Sequence, residues 1–138
     1  MSIREKAREI TVQALYQYAL RGPEDLPAIK RFAWVEKEGI ERIKEQAEEW
    51  VSAVLADLAA TDTLIDDHLA NWSSDRLGML ERAILRLAVY ELRASSDLAV
   101  EIIIDEAVKL SKRFCGDDSF KFVNGVLDAV AATLGRKV

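Results

Sequence analysis

One cysteine, one histidine, two prolines and six glycines are all that 138 residues offer of the types that build disulfides, metal centres and glycine-rich loops. A lone Cys115 excludes an intramolecular disulfide and any zinc site needing two or more cysteines, and it suits a reducing, cytoplasmic setting. The glycines stand apart, at 22, 39, 78, 116, 125 and 135, and assemble neither a Walker loop nor a dinucleotide fingerprint. No stretch approaches 18 uncharged apolar residues, and the first twenty lack a signal-peptide core, so a soluble, unprocessed protein with no membrane partner is expected. Positive charge is not in excess either. With 24 acidic and 19 basic side chains the net charge is −5, and polyanions are repelled unless the cations are concentrated locally.

What the chain does hold is apolar residues, 50% of the total, at helical spacing. Ser2 and Glu5 fit a capping box, and Ile3, Ala7, Ile10, Ala14 and Leu15 then line one face until Arg21-Gly22-Pro23. A shorter helix is expected from about Pro27, with Ile29, Phe32 and Ala33 inward and Gly39 at its end. Ile43, Ala47, Trp50, Val51, Val54, Leu55 and Leu58 predict a third helix of about five turns, starting from Ile40. Thr61 or Asp62 caps a short fourth helix carrying Leu64, Ile65 and Leu69, and Asn71 to Asp75 reads as a loop. Leu77 to Leu92 is apolar around much of its circumference, which places it at the centre of the core. Val100 to Ile104 is strand-like in composition. It runs into Ala107, Val108, Leu110 and Phe114 at helical spacing with no strand to pair, so helix is preferred. Phe122, Val123, Val126, Leu127, Val130 and Leu134 define a seventh helix.

No catalytic constellation emerges from this frame. Asp62 and Asp66 share a helix face, but His68 lies roughly 240° from Asp62, so a solvated acidic surface is preferred to a cation site. Cys115 precedes a helix start without a histidine to act as its base, and spacing singles out no carboxylate pair.

Charge is uneven along the chain. Residues 1–21 carry +2, residues 22–68 carry −7, and the remainder is neutral. On the first helix Arg4 and Arg8 are four apart with Lys6 beside them, a spacing that can track phosphates. Gln13, Tyr16 and Gln17 follow, with groups able to stack on bases or bond to their edges. A solvated helix face has the same composition. A second cluster is Asp117-Asp118-Ser119-Phe120-Lys121-Phe122-Val123-Asn124-Gly125, whose caps fix a helix start and whose Lys121 and Asn124 can share one exposed face. Phe120 and Phe122 lie about 200° apart around a helix, so at least one is expected to be partly exposed. Such a ring beside Lys121 is a stacking-plus-phosphate pair, unless a neighbouring helix covers it.

Three segments together resemble one family. They are Arg4-x-x-x-Arg8-Glu-x-x-Val-Gln-Ala-Leu-Tyr16-Gln17, Glu81-Arg-Ala-Ile-Leu-Arg-Leu-Ala-Val-Tyr-Glu-Leu92, and Ile104-Asp-Glu-Ala-Val-Lys-Leu-x-Lys112 followed by Lys121-Phe-Val-Asn-Gly-Val-Leu-Asp128. In order and spacing they are similar to the NusB-type transcription antitermination factors, over essentially the whole chain. The resemblance implies an all-α fold of about seven helices in two small subdomains, 1–72 and 73–138 here, without catalytic activity or cofactor. It implies partnership with the ribosomal protein NusE, binding of boxA RNA, and work within the RNA polymerase antitermination complex, especially on ribosomal RNA operons. The family contains monomers and homodimers. Carried onto this sequence, the RNA-binding positions are Arg4, Lys6, Arg8, Gln13, Tyr16, Asp118, Lys121, Phe122 and Asn124, of which Asp118 rests on the resemblance alone. Arg76, Glu81 and Tyr90 are the corresponding NusE-binding candidates, with a buried core role open for Tyr90.

The chain departs from the family where Ser2-Ile-Arg-Glu-Lys-Ala-Arg8 interleaves acid with base, where Asp105 replaces the common Asn, and where Ala99 replaces a frequent Pro. The first departure implies a lower intrinsic RNA affinity. The alternative reading is a helical adaptor or dimerisation domain related to the N-terminal appendage of RNA cytosine methyltransferases.

Overall fold

Ser2 sets the first helix in place: its Oγ accepts from the Glu5 backbone N–H at 3.0 Å, satisfying one of the donors that a helix start leaves without an internal partner. The computed structural model describes residues 2–35, 41–69, 72, 77–95 and 97–136. Among these, seven α-helices follow in order: α1 (Ile3–Arg21), α2 (Leu26–Ile29), α3 (Glu41–Ala56), α4 (Leu58–Asp67), α5 (Met79–Ala94), α6 (Val100–Cys115) and α7 (Ser119–Thr133). No strand occurs among them, and the strand-like run from Val100 opens α6. The all-α expectation holds.

Boundaries moved where local signals competed with packing. Gly22, at φ 89°, ends α1 as expected. The second helix is only Leu26–Ile29, after a 3-10 turn over Pro23–Asp25. Phe32 then turns the chain at φ 51°, a left-handed conformation that L side chains disfavour by about 1 to 2 kcal/mol. Burial of its ring, packed edge-on against Trp34 at 5.6 Å, offsets that cost, whereas Ala33 is exposed rather than inward. Gly39 and the expected start of the third helix at Ile40 lie outside the described residues. α3 and α4 meet at Asp57, so Leu58 opens α4 and Thr61 is a buried residue inside it rather than its cap. Of the expected loop from Asn71 to Asp75, only Trp72 is described.

The larger core joins Ala7, Val12 and Leu15 of α1 to α3, α4, α5, α6 and α7, while Ile10 and Ala14 of the same helix face a smaller core with Ile29, Phe32, Ala47 and Val51. α1 is therefore enclosed on both sides. From Ala7 to Val12 every residue is buried, including Arg8, Glu9 and Thr11. The central position expected for α5 is real but shared with α1, since polar residues on α1 marked a face that turns out to be covered.

Salt links tie the helices together. Arg86 holds Asp62 through two hydrogen bonds at 2.9 and 2.8 Å, and Arg82 reaches Asp62 and Asp66 at 3.4 and 2.8 Å. The acidic surface of α4 is thus ion-paired to α5 rather than simply solvated. His68 bonds the Leu64 carbonyl through Nδ1 at 2.7 Å and Thr133 Oγ1 through Nε2 at 2.6 Å, joining α4 to α7. Arg136 donates to the Leu92 and Leu98 carbonyls at 2.8 and 2.6 Å, placing a cation where the α5 carbonyls end.

Candidate nucleic-acid interface

In the first turn of α1 Arg4 is exposed. Lys6 is half-buried, with its ammonium 3.4 Å from Glu9. Arg8 does not join them. Its Nε and Nη2 donate to the Glu91 carboxylate at 3.1 and 2.8 Å, its guanidinium lies 5.4 Å from the Trp50 ring centroid, and it is only 4% exposed. The four-residue spacing predicted a shared solvent face for Arg4 and Arg8, but α3 and α5 close over the second position. Arg8 is a core cation with a core counter-charge.

Glu9, also buried, accepts from Arg113 of α6 at 2.9 Å, so a cation from the last turn of α6 is held beside the start of α1. Sequence reasoning missed Arg113, because nothing local links positions 104 residues apart. Gln13 is half-buried and accepts from the Trp34 indole at 2.7 Å, which spends its carbonyl on anchoring the segment after α2. Tyr16 is half-buried and lines an open groove of about 420 Å³ with Gly78, Met79, Leu80, Glu81, Phe114 and Cys115.

At the opposite end of the sequence, Asp118 is exposed at the N-cap position of α7. Ser119 is buried and its hydroxyl donates to Glu81 Oε2, while Glu81 Oε1 accepts from the Gly78 backbone N–H at 3.0 Å. Glu81 therefore caps α5 and fixes where α7 begins, with 6% of its surface exposed. Lys121 is exposed, and half-buried Asn124 donates to Asp128 at 3.0 Å. Phe122 is the second correction to the expected interface. It is 1% exposed, and Trp72 packs edge-on against it with ring centroids 5.0 Å apart. Its neighbour Phe120 is half-buried, in keeping with the two-residue offset, which prevents both rings from facing the same core. Trp72 was invisible to the sequence reading, having no periodic partner to mark it.

Of the partner-binding candidates, Arg76 lies outside the described residues, Glu81 is buried, and Tyr90 is half-buried against the larger core. No group of three or more histidine, cysteine or acidic side chains that could hold a metal occurs among the described residues, and no described helix is long and apolar enough to cross a membrane.

These features define an all-α binding domain, with cations gathered where the start of α1 meets the end of α6 on an otherwise acidic chain. A family model described as the NusB family matches residues 5–132. A transcription antitermination protein NusB from Desulfotalea psychrophila is 40% identical over 136 residues, covering 94% of this chain and 96% of the relative. The structure of T. maritima NusB superposes with a TM-score of 0.81 at 37% identity, covering 94% of this chain and 90% of that one. A further solved structure, antitermination factors NusB and NusE in complex with dsRNA, matches with a TM-score of 0.77 at 29% identity over 96% of this chain and 98% of that one. The chain belongs to the NusB family, a family of transcription antitermination proteins, and it is not an enzyme.

Proposed function

We propose that this chain binds boxA RNA jointly with the ribosomal protein NusE, and that it acts in the cytoplasm as part of the RNA polymerase antitermination complex. The observation that carries this reading is its full-length likeness to a NusB captured with NusE and double-stranded RNA. Exposed Arg4 and Lys121 and half-exposed Lys6 supply phosphate-binding charge, Asp118 and Asn124 border Lys121, and Tyr16 lines the neighbouring groove. Although that complex holds a duplex, the aromatic and polar side chains here favour unpaired RNA, which offers base faces and edges that a duplex conceals. Arg8, Gln13 and Phe122 serve this surface from beneath, by holding α1 and α7 in place. Glu81, buried and bonded to the Gly78 N–H and the Ser119 hydroxyl, supports NusE binding by fixing where α5 and α7 begin rather than through an exposed carboxylate.

The adaptor reading is not favoured, since the relative matched over 94% of this chain is a transcription antitermination protein. Titrating labelled boxA RNA with this protein, alone and with NusE, tests the proposal. NusE is expected to tighten RNA binding, and reciprocity requires RNA to tighten NusE binding by the same factor, a tenfold effect being about 1.4 kcal/mol. Equal RNA affinity with and without NusE would refute joint binding.

A further inference from the structure

The last turn of α6 and the first turn of α7 set a partly exposed aromatic ring under a cation. Lys112 Nζ lies 4.6 Å from the centroid of the Phe120 ring, with Lys112 exposed and Phe120 half-buried. The pair adjoins the cationic end of the molecule. Arg113, next to Lys112, meets Glu9 at 2.9 Å, and Glu9 meets Lys6 at 3.4 Å, so buried Glu9 ties cations of the end of α6 and the start of α1 together. Exposed Lys121 follows Phe120 on the other side.

A cation over the ring of a half-buried residue at the surface is held weakly, and its long stem lets it move aside. A nucleobase stacks on such a ring whatever its identity, because every base presents a π-face, and the displaced ammonium is then within reach of the adjoining phosphate. We infer that Phe120 is a base-stacking residue and Lys112 its phosphate-binding neighbour, together forming a subsite for one unpaired nucleotide at the α6–α7 corner. The inference rests on the RNA-binding reading above and adds two residues to it. Phe122, enclosed by Trp72 and the core, offers no comparable ring face in this arrangement.

The test uses fluorescence anisotropy with single-stranded boxA RNA and NusE present, on Phe120→Leu, Phe120→Trp and Lys112→Gln. Phe120→Leu keeps apolar bulk and deletes the ring, so affinity is expected to fall about tenfold with an unchanged salt slope. Phe120→Trp should restore binding. Lys112→Gln should flatten the slope of log affinity against log salt by about 0.7, the contribution of one phosphate contact on a single strand. Should Phe120→Leu melt at a lower temperature, photocrosslinking of wild-type protein to 5-iodouridine-substituted RNA decides, with a crosslink expected at Phe120. Wild-type affinity in Phe120→Leu, or crosslinks that avoid this corner, would overturn the inference alone. A wild-type protein that binds no boxA RNA would overturn the RNA-binding reading and the inference with it.

Discussion

Arg8 shows what a buried charge demands of its surroundings. Both members of the Arg8–Glu91 pair are almost without solvent contact, so each depends on the other for its electrostatic balance. Removing one partner leaves the other charged and enclosed, and Arg8→Ala is expected to cost about 3 to 5 kcal/mol of stability in urea denaturation. RNA affinity per folded molecule should change little in that variant. Phe122→Ala belongs to the same class of outcome, since deleting a fully buried phenyl ring costs about 3 to 5 kcal/mol by transfer and cavity effects combined. The intrinsic fluorescence of Trp72, packed against that ring, should shift in the same variant. A destabilisation below about 1 kcal/mol would mean that Phe122 is solvated in solution.

At the level of helices, Asp62 adds a polar link between α4 and α5, facing both Arg82 and Arg86. The cluster is partly solvated, so Asp62→Ala is expected to cost only about 1 kcal/mol, and the cost should shrink in 1 M salt as screening weakens the wild-type pairs. The helices themselves were largely legible in the sequence. Period, caps and the stop at Gly22 define α1, and the unbroken helical spacing after Val100 correctly outweighs strand-like composition there. What the sequence withheld were facts of packing. Arg8 reads as a surface cation because periodicity assigns charge to the outer face, and only the closure of α3 and α5 over α1 reverses that. Asp62 and Asp66 read as solvated because their arginines lie about 20 residues away on another helix. Phe120 and Phe122 were correctly read as facing opposite ways, but spacing alone could not say which one faces in.

For the molecule as a whole, the question is how a chain of net charge −5 approaches RNA. With Arg8 withdrawn into the core, Arg4, Lys6 and Lys121 are the cations of the expected interface that retain solvent contact. With Lys112 of the proposed nucleotide subsite as a fourth, the phosphate contacts on a single strand predict a slope of about −3 for log affinity against log salt, and Arg4→Ala should reduce its magnitude by about 0.7. Anisotropy titrations between low and physiological salt measure both quantities. A much steeper slope would place more cations on the RNA than these four positions provide.

The enclosure of α1 also bears on the order in which the chain can fold as it is made. Ile10 and Ala14 find their partners in α2 and α3, so the smaller core can close early in synthesis. Arg8 must wait for Glu91, 83 residues later, and Glu9 for Arg113, 104 residues later. At ribosomal speeds of about 5 to 20 residues per second, that is a delay on the order of ten seconds. During it a helix destined for the interior carries an arginine without its counter-charge and a glutamate with only its neighbour Lys6. Docking of the larger core is consequently a late event, governed by the arrival of α5 and α6 rather than by the formation of the first helix.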